Sequence, residues 1–299
     1  MRKFNKIVAV DNTKLLENAI EELKKYSEGE VEIYKDYPDT NAEIIKRIGD
    51  AEAMLVSWHT QISEEVIAEC PNLKYIGMCC SLFDEESANV AVNFARKKGI
   101  EVTGISDYGD PGVVEFIISV LINLLHGFGE NQWKEKPVEL TNRKIGIIGL
   151  GVTGQLLAKC LLPFGADLYY FSRSRKKEWE EQGVKYLSLE KLLETSEIIS
   201  IHLPKNVEIL TEREFAALGS GKILVNTSLG LPFNENAFKN WITESSNFAI
   251  FDSDGKNALD GRVLKNKNVI SSEKSAGWSA ETETRLSEKV LKNLQNYLK

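Results

Sequence analysis

The stretch Lys144-Ile-Gly-Ile-Ile-Gly-Leu-Gly-Val-Thr-Gly154 constrains this chain more than any other. Its short apolar run, Ile145 to Ile148, reads as a strand buried on both faces of a parallel sheet. The run ends in Gly149-x-Gly151-x-x-Gly154, and Gln155-Leu-Leu-Ala-Lys-Cys-Leu-Leu162 continues with helical composition. In such a strand–turn–helix unit the first glycine permits the tight turn and the second lets a pyrophosphate approach the backbone. The third lets the helix pack closely on the strand. Unpaired N–H groups at Val152, Thr153 and Gly154, together with the positive end of the helix dipole, favour an anion there. A glycine-rich turn that binds nothing is the bland alternative; the rest of a βαβ unit follows downstream and argues against it.

The chain has 299 residues, a length that fits about two domains. A net charge of −7 argues against a nucleic-acid-binding surface and fits a solvated acidic one. No apolar run reaches the length of a membrane span. Met1-Arg-Lys-Phe-Asn-Lys leads straight into a strand, without the apolar segment of a signal peptide, so a cytoplasmic setting is expected. Cys70, Cys79, Cys80 and Cys160 lack CxxC spacing and read as buried reduced thiols; no metal site is expected.

Before residue 108, strands and helices alternate. Strands are expected at Lys6–Val10, Val31–Tyr34, Ala53–Ser57, Leu73–Met78 and Ile100–Thr103. Helices are expected from a cap at Asn12 to Tyr26, over Asn41–Ile48, from a cap at Ser63 to Cys70, and over Glu85–Lys98. Repeated units of this length imply a parallel sheet covered on both faces. Pro111–Leu125 reads as a helix apolar on nearly every side, buried between domains, against a second subunit, or within one core. After a polar connector, Gly127–Thr141, a second series begins at Lys144. Its further strands are expected at Asp167–Phe171, Val184–Leu187, Glu197–Leu203, Lys222–Asn226, Phe248–Phe251 and Asn268–Ile270. Ser279 can cap the last helix.

In this kind of unit an acidic residue at the end of the second strand binds the adenosine ribose. Here that strand ends Ser172-Arg173-Ser174-Arg175-Lys176, and Asp167 lies at its beginning, on the wrong side. A small hydroxyl followed by arginines suits a 2′-phosphate, because guanidinium forms charge-assisted hydrogen bonds to phosphate oxygens. NADP is therefore expected over NAD, which stays possible. A basic solvated turn is the alternative.

Taken together, the sequence resembles the D-isomer-specific 2-hydroxyacid dehydrogenases along nearly its whole length. The resemblance is carried by Cys70-Pro-Asn-Leu-Lys-Tyr-Ile-Gly77, the Tyr108–Phe116 hinge with Glu115, Glu139-Leu, and the glycine motif. His202-Leu-Pro204, Val225-Asn-Thr227 and Ala276-Gly277-Trp278 complete it. It implies an α/β chain of two domains. A Rossmann dinucleotide-binding domain, residues 108–278, is inserted into a flavodoxin-like parallel-sheet substrate domain formed by 1–107 and 279–299. It also implies an active site in the cleft between them, a small-molecule substrate, and a homodimer formed through the long helix and connector. His202, Pro204, Thr227, Ser228, Leu229, Asp252 and Gly277 would then line the cofactor beside the glycine motif.

The family works with an arginine that binds the substrate carboxylate, a histidine that handles the hydroxyl proton, and a glutamate that orients the histidine. At the matching positions this chain has Leu229, Lys274 and, within Asp252-Ser-Asp-Gly-Lys-Asn257, no glutamate. An isobutyl group cannot replace a bidentate guanidinium, so ordinary 2-hydroxy acids are not expected as good substrates. The substrate loop is also altered, to Cys79-Cys80-Ser81-Leu82. Lys274 is the candidate proton donor or electrostatic stabiliser, against a solvated surface lysine. His59, on a loop after a strand, could reach substrate or be incidental; His126 could simply favour its helix dipole. Two functions follow: an NADP(H)-dependent oxidoreductase with altered substrate and proton donor, or a catalytically silent NADP(H)-binding regulatory or partner protein.

Overall fold

Short apolar strands bounded by turns dominate this chain, and every strand pair is parallel. The computed structural model describes residues 2–82, 85, 88–205 and 207–299. The chain packs as two compact units, Met1–Tyr108 with Ser279–Lys299, and Gly109–Trp278.

The first unit alternates β1 (Ile7–Ala9), α1 (Glu17–Leu23), β2 (Val31–Ile33), α2 (Asn41–Ile48), β3 (Ala53–Val56), α3 (Glu64–Ala68), β4 (Tyr75–Ser81), α4 (Val92–Lys97) and β5 (Glu101–Ile105). Its sheet runs β2-β1-β3-β4-β5. Thr40 and Ser63 cap α2 and α3, each accepting a backbone N–H three residues on. Two expectations needed correction. The first helix begins at Glu17, not after Asn12, because Lys14 turns to φ +61° and the Leu16 N–H is held by the Ser287 hydroxyl at 3.0 Å. The fourth helix begins at Val92, not Glu85. Val90 bridges Ile62, and the Asn89 amide donates to the carbonyls of Ser57 and Thr60 at 2.8 and 2.7 Å. Glu86 and Ser87 of that expected helix lie outside the described residues.

The second unit opens with α5 (Asp110–His126), then β6 (Lys144–Ile148), α6 (Val152–Leu161), β7 (Asp167–Phe171), α7 (Lys177–Glu180), β8 (Lys185–Tyr186), α8 (Leu189–Thr195) and β9 (Ile198–Ile201). It continues through α9 (Glu212–Leu218), β10 (Ile223–Asn226), α10 (Glu235–Ile242), β11 (Phe248–Phe251), α11 (Ser253–Lys256) and β12 (Val269–Ser271). The sheet order is β12-β11-β10-β9-β6-β7-β8. Its inner strands are buried along their length, which explains their unbroken apolar sequences. Pro111 sits in the first turn of α5, where its missing N–H costs nothing. Val114, Ile117, Leu121, Leu124 and Leu125 of that helix are buried, each stabilising the unit by roughly 1.5–3 kcal/mol. Within its unit α5 is not buried all round: Phe116, Ile118, Val120 and Ile122 are half-buried and Glu115, Ser119 and Asn123 are exposed.

The final helix, α12 (Ala280–Leu298), belongs to the first unit, with Ser279 as its cap. Leu286, Val290, Leu294 and Leu298 enter the core that holds Phe4, Tyr26 and Tyr75.

Candidate functional site

In the second unit the chain leaves β6, runs outward through β7 and β8, then crosses back to β9 on the other side of β6. Reversals of this kind open a crevice at the carboxyl ends of the strands, where ligands of open parallel sheets bind. Gly149, directly after β6, has φ +94°, and a Cβ there would fall on the carbonyl oxygen of His202. A Cβ on Gly154 would fall on the carbonyl of Gly149, whereas one on Gly151 would meet nothing within 4 Å. Two glycines are thus demanded by the protein's own packing, and the third faces open space. α6 starts at Val152 with no side-chain cap. Among the described residues no acceptor takes the N–H groups of Val152, Thr153 or Gly154. Three aligned donors, an open approach and a positive helix end fit a dinucleotide diphosphate. The Thr153 hydroxyl is engaged by the Asp110 carboxylate, so an anion at this turn would meet backbone donors.

On one side of this turn, strand ends are cross-linked. After β10, Ser228 donates its hydroxyl to the Ile201 carbonyl at 3.2 Å and accepts the Leu203 N–H at 3.1 Å. Asn226, fully buried, accepts the Ser228 N–H and donates to the Gly230 carbonyl. His202 bonds through Nε2 to the Ser200 hydroxyl at 2.9 Å, and burial pushes its imidazole down to about 4, so it is neutral near pH 7. Thr227 is half-buried, Pro204 is exposed, and Leu229 is 51% exposed.

Further along, Asp252 caps α11. Its carboxylate accepts the N–H groups of Gly255 at 2.8 Å and Ala276 at 2.9 Å; burial pushes its carboxyl up. Asp254 accepts the Ser275 hydroxyl at 2.6 Å, and the buried ammonium of Lys256 pairs with Glu273. The loop after β12 is therefore held at several points, and the Ser253 N–H donates to the Lys274 carbonyl at 3.2 Å. The Lys274 side chain is exposed, and Gly277 packs by its backbone against Gly109.

On the other side of β6, the loop after β7 carries Ser172, Arg173, Ser174 and Arg175. Ser172 donates its hydroxyl to the Ser174 carbonyl at 2.5 Å. Arg173 is exposed, with no ion pair or hydrogen bond from its side chain among the described residues. Arg175 is different: its guanidinium pairs with Glu180 and lies over the Tyr186 ring at 5.1 Å.

Apart from His126, the sequence-derived candidates of this unit thus lie at or beyond the carboxyl ends of β6, β7, β9, β10, β11 and β12. Sequence reasoning missed Asp110, Asn226, Asp254 and Glu180. Only Asn226 carried a local signal, an Asn two residues before a Ser whose N–H it can accept.

In the first unit, His59 stacks on Tyr37 at 4.3 Å between ring centroids and meets Trp58 at 4.8 Å. Beneath it the buried Asp11 carboxylate accepts the Ser57 N–H at 2.9 Å and hydroxyl at 2.6 Å. Cys79 and Cys80 lie inside β4, so that strand extends to Ser81 and the altered loop starts later than expected. His126 stacks on Phe128 at the end of α5. Among the described residues no group of acidic, histidine or cysteine side chains could hold a metal ion, and no helix is long and apolar enough to cross a membrane.

Known proteins are similar to this chain in sequence and in fold. Over 277 residues the chain is 26% identical to a hydroxypyruvate reductase of Blautia hydrogenotrophica, spanning 84% of this chain and 83% of that one. It is 27% identical over 276 residues to a glyoxylate reductase of Thermococcus litoralis, spanning 84% and 81%. The structure of an acyclic imino acid reductase (Bsp5) in complex with NADPH and D-Arg superposes with a TM-score of 0.81 at 25% identity, covering 98% of this chain and 97% of that one. Residues 123–272, half of the chain, match the model of the D-isomer specific 2-hydroxyacid dehydrogenase NAD binding domain. That span runs from α5 to β12 and holds the glycine turn and nearly all the strand-end side chains above, so the chain belongs to the D-isomer specific 2-hydroxyacid dehydrogenase family.

Proposed function

We propose that this protein is an NADP(H)-dependent oxidoreductase acting on a CH–OH or C=O group, with a substrate and a proton donor unlike those its resemblance implies. The observation that carries the cofactor preference is the end of β7. Ser172 and the unpartnered Arg173 stand where an acidic residue would select NAD, and a guanidinium with all its donors free suits a phosphate dianion. The NADPH named with the imino acid reductase is consistent with this. Bound there, the nicotinamide would supply a hydride. The chain's own part is to clasp the diphosphate with the N–H groups of Val152, Thr153 and Gly154, and to line the crevice with His202, Pro204, Thr227, Ser228, Asp252 and Gly277. Leu229 offers an incoming carboxylate no charge, which supports a substrate other than the keto acids of the two reductases above. Lys274 is the remaining cation on the loop after β12 that could meet a developing alkoxide.

A homodimer through α5 and the connector belongs to the same reading, supported by the half-buried Ile118, Val120 and Ile122 and the 71% exposed Phe128. A cytoplasmic setting is supported by four free cysteines.

Calorimetric titration with NADPH and NADH tests the cofactor half. Tighter NADPH binding is expected; equal or tighter NADH overturns the preference, and no heat from either overturns the site. Turnover of a panel of small 2-keto acids with NADPH tests the substrate half. Poor turnover is expected, and efficiency typical of glyoxylate or hydroxypyruvate reductases overturns it. The solvated Lys274 side chain favours a second reading, a silent NADP(H)-binding regulatory or partner protein. It predicts tight NADPH binding with no oxidation by any carbonyl or imine tried.

A further inference from the structure

Two arginines follow β7, and the fold treats them differently. Arg173 reaches solvent alone, while Arg175 presents its Nε to Glu180 Oε1 at 3.0 Å and its Nη2 to Glu180 Oε2. Glu180 ends α7 and folds back because Tyr170, buried in β7, donates its hydroxyl to the same Oε1 at 2.9 Å. The Tyr170 oxygen in turn accepts the Lys176 N–H at 2.6 Å, which fixes the start of the loop. The Tyr186 ring beneath the guanidinium closes the arrangement, edge-on to Tyr170 at 5.4 Å. One whole edge of Arg175 is therefore spent inside the protein, and its charge is balanced before any ligand arrives.

We infer that Glu180 is a specificity-determining residue: it withholds Arg175 from an adenosine 2′-phosphate and so sets how strongly this chain discriminates NADP(H) from NAD(H). The inference rests on the proposed NADP(H) preference and adds the residue that limits it. Glu180 acts twice. It competes for the bidentate guanidinium edge that a phosphate would use. It also places a carboxylate, held ionised by Arg175, beside a group carrying nearly two negative charges. In the wild type Arg173 alone meets the 2′-phosphate.

The test is a double-mutant cycle on the full chain, with dissociation constants for NADPH and NADH from calorimetry. Glu180→Gln keeps an acceptor for Tyr170 and removes the charge. It should tighten NADPH binding by about two- to fivefold, the scale of an exposed ion pair, and leave NADH unchanged. Arg175→Ala in the wild-type background should weaken NADPH binding by no more than about fivefold, because it leaves the Glu180 carboxylate unbalanced beside the phosphate, and in the Glu180→Gln background it should cancel the gain. Weaker NADPH binding in Glu180→Gln, or no change, overturns the inference. So does a double variant that binds NADPH far more weakly than the wild type, because Arg175 would then be a phosphate ligand that Glu180 orients. Wild-type protein that binds NADH as tightly as NADPH overturns the underlying cofactor preference instead, a result visible before any variant is made.

Discussion

Gly149 stands so close to His202 that a side chain on the glycine would occupy the place of the histidine's carbonyl oxygen. The contact joins the turn after β6 to the end of β9, the two strands between which the crevice opens. Gly149→Ala should therefore cost about 3 kcal/mol or more, from the backbone clash and from φ +94°. Gly151→Ala meets open space and should melt within about 0.5 kcal/mol of the wild type. Yet it should weaken NADPH binding at least about tenfold, because a methyl group stands where the diphosphate must approach the backbone. Thermal melts paired with calorimetry separate the two. A Gly151→Ala variant that binds NADPH normally would remove the diphosphate from this turn.

His202 gives a stability difference that depends on pH. Its imidazole titrates near 4 in the fold against an ordinary 6.5, because burial disfavours the charged form. A lowered folded value means that the contribution is complete above 6.5 and is lost as pH falls through that window to about 4. The loss amounts to at most about 3 kcal/mol. Glutamine at this position keeps a hydrogen-bonding group for Ser200 and does not titrate. Denaturant unfolding at intervals from pH 7 to pH 4 should show the wild type losing stability relative to His202→Gln. Parallel curves would mean that the ring is hydrated in the folded protein.

Arg173 should carry the selectivity for the phosphorylated cofactor. A hydrogen bond to a charged group contributes roughly 1.5–3 kcal/mol, so Arg173→Ala should weaken NADPH binding by about ten- to a hundredfold. NADH, lacking the 2′-phosphate, should be little affected, and the NADPH loss should shrink at high salt as screening grows. A variant that loses both cofactors equally would place Arg173 at the diphosphate or in the fold.

The parts of this molecule that were legible in its sequence are those set by local chemistry. β7, β11 and α2 begin and end where their apolar runs and caps say they should. The glycine turn was legible because each glycine answers a distinct backbone demand within a few residues. What was not legible depends on distant partners. α1 starts late because a hydroxyl 271 residues away holds Leu16, and α4 starts late because Asn89 is spent on Ser57 and Thr60. The two arginines after β7 look equivalent in sequence. Only the fold-back of α7 onto Tyr170 gives one of them a carboxylate partner. Asp252 likewise is legible as the residue at the end of a strand; that its carboxylate caps α11 and grips Ala276, 24 residues on, required the β12 loop to be in place.

That grip bears on Lys274. Asp252 holds Ala276, Asp254 holds the Ser275 hydroxyl, and the Ser253 N–H holds the Lys274 carbonyl, so the backbone beneath the lysine is fixed while its ammonium is solvated. Removing the side chain should leave the fold intact, with melts of Lys274→Ala within about 0.5 kcal/mol of the wild type and NADPH affinity unchanged. If the protein is an oxidoreductase, turnover should fall by about a hundredfold or more, the usual cost of losing a positioned acid. Lys274→Arg then separates two roles. Guanidinium keeps the charge but does not give up its proton, so restored turnover assigns an electrostatic role and continued loss assigns proton transfer. Equal turnover in the wild type and Lys274→Ala would make this lysine a surface residue and move the search for the proton donor elsewhere.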